Sequence, residues 1–336
     1  MANEVNQRGQ AGIALFLLLL RPLLTFVATL AGASFVASAL LYFSPGNAAD
    51  VVASDPATYA GLVDKWGLDD SLFSQYTTFV ANALQGDFGS SLVTSPGEPV
   101  FEVIQSRAPR TILLVAGAIF LSFGLSLSLA FWTAGKKTNL SAWRTWPVGM
   151  TRRFVQIISI LPLFLAAYIC MYSIDAAIYN QSVAQGLTPP SWFPLLLNTS
   201  GTKTALAIGV LAISSCSLTE IHTSCENELS RIRESDFVDA ARARGDRAWT
   251  HILAVLIPTL TTLISSRVSF FLGGTVIVEE VLHINGVGRL FWDACLARDF
   301  PLVLGITALA ATIVCSARLL GDLIRIWTDP RQRGDA

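Results

Sequence analysis

Three stretches of this chain, Pro22 to Phe43, Thr111 to Ala134 and Phe154 to Ile174, each run for more than 20 residues without a charged side chain. A helix needs roughly 20 apolar residues to cross the ~30 Å hydrocarbon layer of a bilayer. A barrel strand needs about 10, and its residues alternate in polarity. The runs are too long and too uniform for strands, so the chain reads as all-α, a polytopic membrane protein. The lipid bilayer is then its first partner. Composition agrees: 14% of the 336 residues are charged and 52% apolar, where a soluble domain carries roughly 25% charge. So little charge cannot cover a water-soluble surface of this size. The net charge of -1 argues against an electrostatic nucleic-acid binder, and the high apolar content excludes disorder.

Three further apolar runs carry or adjoin charge. Glu220 closes one, Arg267 interrupts another, and Arg318, Asp322 and Arg325 follow the apolar part of the last. Buried helices of a bundle tolerate such groups. The expectation is six transmembrane helices, at about 22–43, 111–134, 154–174, 204–225, 252–278 and 301–327, within one domain covering 22–336. Residues 1–21 read as a cytoplasmic or interfacial N-terminal helix that turns at Arg21-Pro22 into the first span. A cleaved signal peptide is the competing reading.

Basic residues orient the bundle. With the N-terminus cytoplasmic, fifteen of the 23 Lys and Arg fall on the inside, six fall outside, and Arg267 and Arg318 lie within spans. Both termini are then cytoplasmic. Residues 44–110 form an outer cap and 226–251 a cytoplasmic loop. In the cap, Pro56 to Trp66 and Leu72 to Leu84 have helical apolar spacing, and Gly86-Asp87-Phe88-Gly89 is a turn cluster. The segment is too long for a plain connection. It is either a folded cap that touches a partner or a solvated lid.

Catalytic chemistry has no foothold. The five cysteines are odd in number and show no CxxC spacing, and the three histidines do not cluster, so no metal site is expected. No GxxxxGK[ST] loop exists, so the chain is not expected to be an enzyme or to hydrolyse ATP.

The cytoplasmic loop carries the strongest local pattern. Ser235 is placed to cap a helix from Asp236 to Arg244, with Asp236 and Asp239 in the first turn and Arg242 and Arg244 in the last. Gly245 stands where a helix C-terminal glycine belongs. A second helix then runs toward Pro258 and into the membrane.

This stretch resembles the cytoplasmic signature of the inner-membrane permease subunits of ATP-binding-cassette (ABC) importers: E-A-A, three residues, G, nine residues, I-x-L-P. Here it reads Asp239-Ala240-Ala241, then Gly245, then Val255-Leu256-Ile257-Pro258. Asp for Glu, Val for Ile and Ile for Leu are the departures. Other segments resemble the oligopeptide, dipeptide and nickel branch of that family. They are Ser44-Pro45-Gly46-Asn47-Ala48, Gly67-Leu68-Asp69, Gln75-Tyr76, Gly86 to Ser91, Glu279 through Gly286-Val287-Gly288-Arg289-Leu290, Arg298-Asp299-Phe300-Pro301 through Gly305, and Asp329-Pro330-Arg331. The resemblance is weak from about Ala134 to Lys203.

The resemblance implies a type I ABC importer permease fold in a bacterial inner (cytoplasmic) membrane. It implies a second homologous permease subunit, two ATP-binding-cassette ATPase subunits, and a periplasmic or extracellular solute-binding protein. ATP and Mg would sit on the ATPase partners, with no cofactor on this chain. Asp239, Ala240, Ala241, Gly245 and Pro258 become the ATPase-coupling residues of a subunit that forms half of a translocation pathway for a peptide or similar small solute. The alternative is an ion-coupled secondary transporter working without an ATPase, but such folds usually show inverted repeats, and none is evident here.

Arg267 and Glu280 are substrate-pathway candidates. A mid-span cation has to meet a partner or a watery cavity. Arg267 either receives an anionic group of the substrate or pairs with a protein carboxylate. Glu280 either faces the gate or the binding protein, or is an interface carboxylate in water. Arg318 and Asp322, four apart, are placed to pair on one helix face.

Overall fold

The computed structural model describes residues 2–53, 55–133, 202–246 and 248–328, with isolated positions between 150 and 173. The described residues are helical apart from turns and one antiparallel bridge, Ser90 to Pro99. They divide into two units, one of residues 1–109 with 289–336, the other of 110–288.

In the first unit, α1 (Ala2–Phe43) packs along α10 (Phe300–Thr328). The turn expected at Arg21-Pro22 is absent, and α1 runs unbroken through both residues. An internal proline removes one ladder hydrogen bond, a loss that membrane helices absorb. The cap holds α2 (Ala48–Val52), α3 (Pro56–Trp66) and α4 (Leu72–Ala83), the last two where the apolar spacing put them. Each starts at a side-chain cap, from Asn47, Asp55 and Ser71 respectively.

The Gly67-Leu68-Asp69 and Gln75-Tyr76 segments have separate tasks. Gln75 Nε2 donates to the Gly67, Leu68 and Asp70 carbonyls, closing the α3–α4 turn. Tyr76 donates its hydroxyl to the Ala31 carbonyl at 2.9 Å, and its ring meets Phe35 edge-on at 5.3 Å. The cap is thereby pinned to α1.

The second unit is built on α5 (Val100–Thr133, with 100–109 in the first unit), α6 (Thr202–Arg233), α7 (Asp236–Ala243) and α8 (Ala248–Val281). α9 (Val287–Leu296) leads from it toward α10. Leu114, Ala118, Ile213, Ile221, Phe271 and Val278 form the centre of the core. Gly209 sets the spacing: a Cβ there would lie 2.8 Å from Leu114 Cδ2 and 2.9 Å from Val278 Cγ1. Small residues at such crossings let membrane helices approach closely.

Among the described residues, five helices are long and apolar enough to span: Leu23–Phe43, Val100–Thr133, Ala205–Arg233, Val255–Val281 and Phe300–Ile324. The sixth expected span, 154–174, falls largely outside the described residues, as does 175–201. Two boundaries move. α5 starts at Val100 rather than Thr111. α6 continues to Arg233, so 226–233, expected in the loop, are helical. The cause is the periodicity of Cys225, Leu229 and Ile232, all buried, which carries the apolar face a further two turns. Several hydroxyls inside the spans are satisfied locally. Ser122, Thr261, Thr262, Thr307 and Thr312 each donate to the carbonyl four residues back. Arg318 and Asp322 make no ion pair; both are exposed.

Candidate functional site

The loop between α6 and α8 is an elbow. Ser235 stands at the N-cap of α7 with extended backbone, but its hydroxyl makes no cap bond. It donates instead to the Ile232 carbonyl, one of the acceptors left open at the end of α6. Asp236 and Asp239 occupy the first turn of α7, where the helix dipole favours negative charge. Val238 and Ala241, three apart, are fully buried and anchor α7 against its own chain, where it packs on α8. Asp236, Phe237, Asp239, Ala240 and Arg242 are exposed. Phe237 leaves 43% of its surface uncovered, and Asp239 pairs with Arg242 at 2.8 Å.

The elbow turns at Gly245, whose φ is +78°. Its N–H donates to the Arg242 carbonyl and the Asp246 N–H to the Ala241 carbonyl, both at 3.0 Å, the paired closure that places its C′ residue in the left-handed region. A side chain there would meet no atom within 4 Å. Backbone conformation alone favours glycine.

Pro258 lies inside α8 and is half-buried. Next to it, Thr259 donates to Glu228 of α6 at 3.3 Å, and Glu228 also holds Arg231 at 2.5 Å. Of the five expected coupling residues, Asp239, Ala240 and Gly245 are exposed on the elbow, whereas Ala241 and Pro258 serve packing within the chain. Phe237 was not anticipated. Its signal was available, since a large apolar side chain four residues before Ala241 borders the anchored face of the helix.

Arg267 forms an ion pair with Glu220 of α6. A protein carboxylate thus stands within ion-pair reach of it. Glu280 is half-buried, and its neighbour Glu279 is fully buried. Thr111 donates to Glu279 at 2.6 Å and accepts from the Val287 N–H at 2.8 Å. A Cβ on Gly286 would collide with the Glu279 carboxylate, and one on Gly288 would lie 2.7 Å from Val276 Cα. The run from Glu279 to Leu290 therefore starts as a packed knot around a buried carboxylate.

A second knot joins three of the family-like segments in the first unit. Asp299 is fully buried. It accepts the Ser91 hydroxyl at 2.5 Å and the N–H groups of Leu92, Val93 and Thr94 at 3.0 to 3.1 Å. Gly89 faces Pro301, and Gly305 lies against Val100. The Arg298 guanidinium and the Asp50 carboxylate both border Gly46, in the Ser44-Pro45-Gly46-Asn47 turn. Among the described residues no group of three or more His, Cys, Asp or Glu could hold a metal ion.

The model of the binding-protein-dependent transport system inner membrane component family matches residues 126–334, more than half of the chain. The chain belongs to this family. Similar proteins cover nearly all of it. The oligopeptide transport system permease protein AppB of Bacillus subtilis is 23% identical over 93% of this chain and 98% of the relative. The probable peptide ABC transporter permease protein y4tP of Sinorhizobium fredii is 28% identical over 94% and 98%. The nickel import system permease protein NikB of Staphylococcus aureus is 26% identical over 88% and 85%. This all-α membrane protein is thus a permease subunit of an ABC importer, as the signature from Asp239 to Pro258 and the segments of the oligopeptide and nickel branch implied. The family match begins at Ser126 and extends past the elbow almost to the C-terminus.

Proposed function

We propose that this permease forms half of the translocation pathway for a peptide or similarly small solute, and that α7 couples it to a separate ATPase. The relatives named for oligopeptide, peptide and nickel transport support the solute class. On this reading a second permease completes the pathway, two ATPases that bind ATP and Mg dock at the elbow, and a binding protein delivers solute to the cap. Both termini are then cytoplasmic and residues 44–110 face outward.

The observation that carries the coupling role is the split surface of α7. Val238 and Ala241 fasten it to its own chain, while Phe237 and Ala240 remain uncovered beside Asp236, Asp239 and Arg242. A half-exposed phenylalanine beside an alanine suits insertion into a groove on a partner. The Gly245 turn joins this helix directly to α8, so a push on α7 is delivered to a membrane helix.

The test uses the assembled importer in nanodiscs. Phe237→Asp and Gly245→Asp are expected to lower solute-stimulated ATP hydrolysis at least tenfold. Aspartate tolerates the left-handed region better than most residues, so Gly245→Asp spares the turn. Wild-type coupling in both variants would overturn the docking role.

A further inference from the structure

Among the described residues, five helix ends close with the same pair of hydrogen bonds, and in three of them the left-handed residue is glycine: Gly67, Gly86 and Gly245. At the end of α9 that residue is Arg298, with φ +56°. Its N–H donates to the Cys295 carbonyl, and the Asp299 N–H donates to the Ala294 carbonyl. An arginine there adopts a backbone conformation that glycine takes without strain. What the arginine gains is not a hydrogen bond at its tip: Nη1 is shielded from solvent and has no partner. A buried guanidinium nitrogen left unpaired is costly. Backbone strain and an orphaned donor thus meet in one residue.

That residue borders a cavity of about 480 Å³ formed with the end of α1, the Gly46 turn and the start of α4. Asp50 and Asp69, both exposed, also line it, with Tyr42, Tyr59 and Asn47. The Asn47 amide is committed to the Tyr59 hydroxyl at 3.0 Å. The lining thus holds the Arg298 guanidinium beside two carboxylates, of which Asp50 also accepts the Asn47 N–H. We infer that this cap cavity binds a small zwitterion, with its carboxylate on Arg298 and its ammonium toward Asp50 and Asp69. A guanidinium is suited to a carboxylate because its donors match the two oxygens. The cavity is large enough for a molecule the size of a dipeptide. The inference deepens the import reading, from which the choice of a peptide probe comes.

Full-length chain in nanodiscs, without ATPase or binding protein, separates this site from transport. Equilibrium dialysis is run with dialanine, its C-terminal amide and its N-acetyl derivative. Saturable binding of dialanine in the millimolar range is expected, with each blocked form at least tenfold weaker. Arg298→Gly is the decisive variant. It removes the guanidinium and relieves the backbone, so its thermal midpoint is expected to equal or exceed that of the native chain while dialanine binding is lost. Absence of saturable binding to the native chain, equal binding of the amide, or undiminished binding by Arg298→Gly would each overturn the inference. If Phe237→Asp abolished coupling while dialanine still bound through Arg298, both readings would stand. If coupling survived that variant and dialanine still bound, only the coupling role would fail.

Discussion

The Ser91 hydroxyl donates to the Asp299 carboxylate at 2.5 Å, joining positions 208 residues apart in the chain. Three backbone N–H groups of residues 92–94 converge on the same side chain. Asp299 is therefore a buried side chain held by a loop folded around it. Asp299→Ala leaves those donors without an acceptor and is expected to destabilise the chain by about 3 kcal/mol or more. Ser91→Ala should cost about 1–2 kcal/mol. The double variant should lose less than the sum, because both act on one network. Thermal midpoints in detergent measure all three.

Glycine positions separate by what a methyl would strike. Gly288→Ala places a Cβ 2.7 Å from Val276 Cα, where backbone has to move, and an expected cost of about 1–3 kcal/mol follows. Gly273→Ala on α8 meets nothing within 4 Å and removes a flexible residue from a helix interior. Its expected effect is neutral to about 1 kcal/mol stabilising. Equal thermal midpoints for the two variants would contradict the packing described around Glu279.

The Arg267–Glu220 pair gives a direct check on substrate recognition. Glu220 is 60% exposed at its side chain, so the pair should be worth no more than about 1 kcal/mol. Arg267→Gln is expected to leave the transport ratio of a peptide to its C-terminal amide unchanged. A selective loss of the free-acid peptide would show that Arg267 reads the substrate carboxylate after all.

Acid should loosen the start of α3. The Thr58 hydrogen bonds hold the Asp55 carboxyl below the usual carboxylate range, the backbone N–H lying 2.6 Å away. A carboxyl whose folded pKa is depressed contributes stability above its unfolded pKa, about 3.9, and loses it as pH falls through the folded value. Amide exchange in residues 56–60, corrected for intrinsic rate, should accelerate below about pH 4 in the native chain. Asp55→Ala should show the faster exchange already at neutral pH.

Much of the elbow and cap was legible because local rules decide them. Asp236 to Ala243, Gly245 and the two cap helices follow from apolar spacing, charge placement and glycine position, all of which act within a few residues. The Ser235 hydroxyl departed from expectation because an open carboxyl-terminal carbonyl of α6, at Ile232, competed for it. Helix ends were less readable. α6 outran its apolar run because Cys225, Leu229 and Ile232 find a core to bury against, and a hydropathy window sees charge rather than face.

The sequence by itself determined that this chain is a bundle of membrane helices with a short amphipathic helix and a glycine turn at one end, since desolvation and backbone sterics act residue by residue. Only the tertiary structure decided that Asp299 is held by Ser91 and its neighbours, that Glu279 rather than Glu280 is the sealed carboxylate, that Arg267 is answered by Glu220, and that Arg298 borders a cavity. Those outcomes depend on which distant segments pack together, and no local spacing encodes the distance between two side chains brought in from opposite ends of the chain.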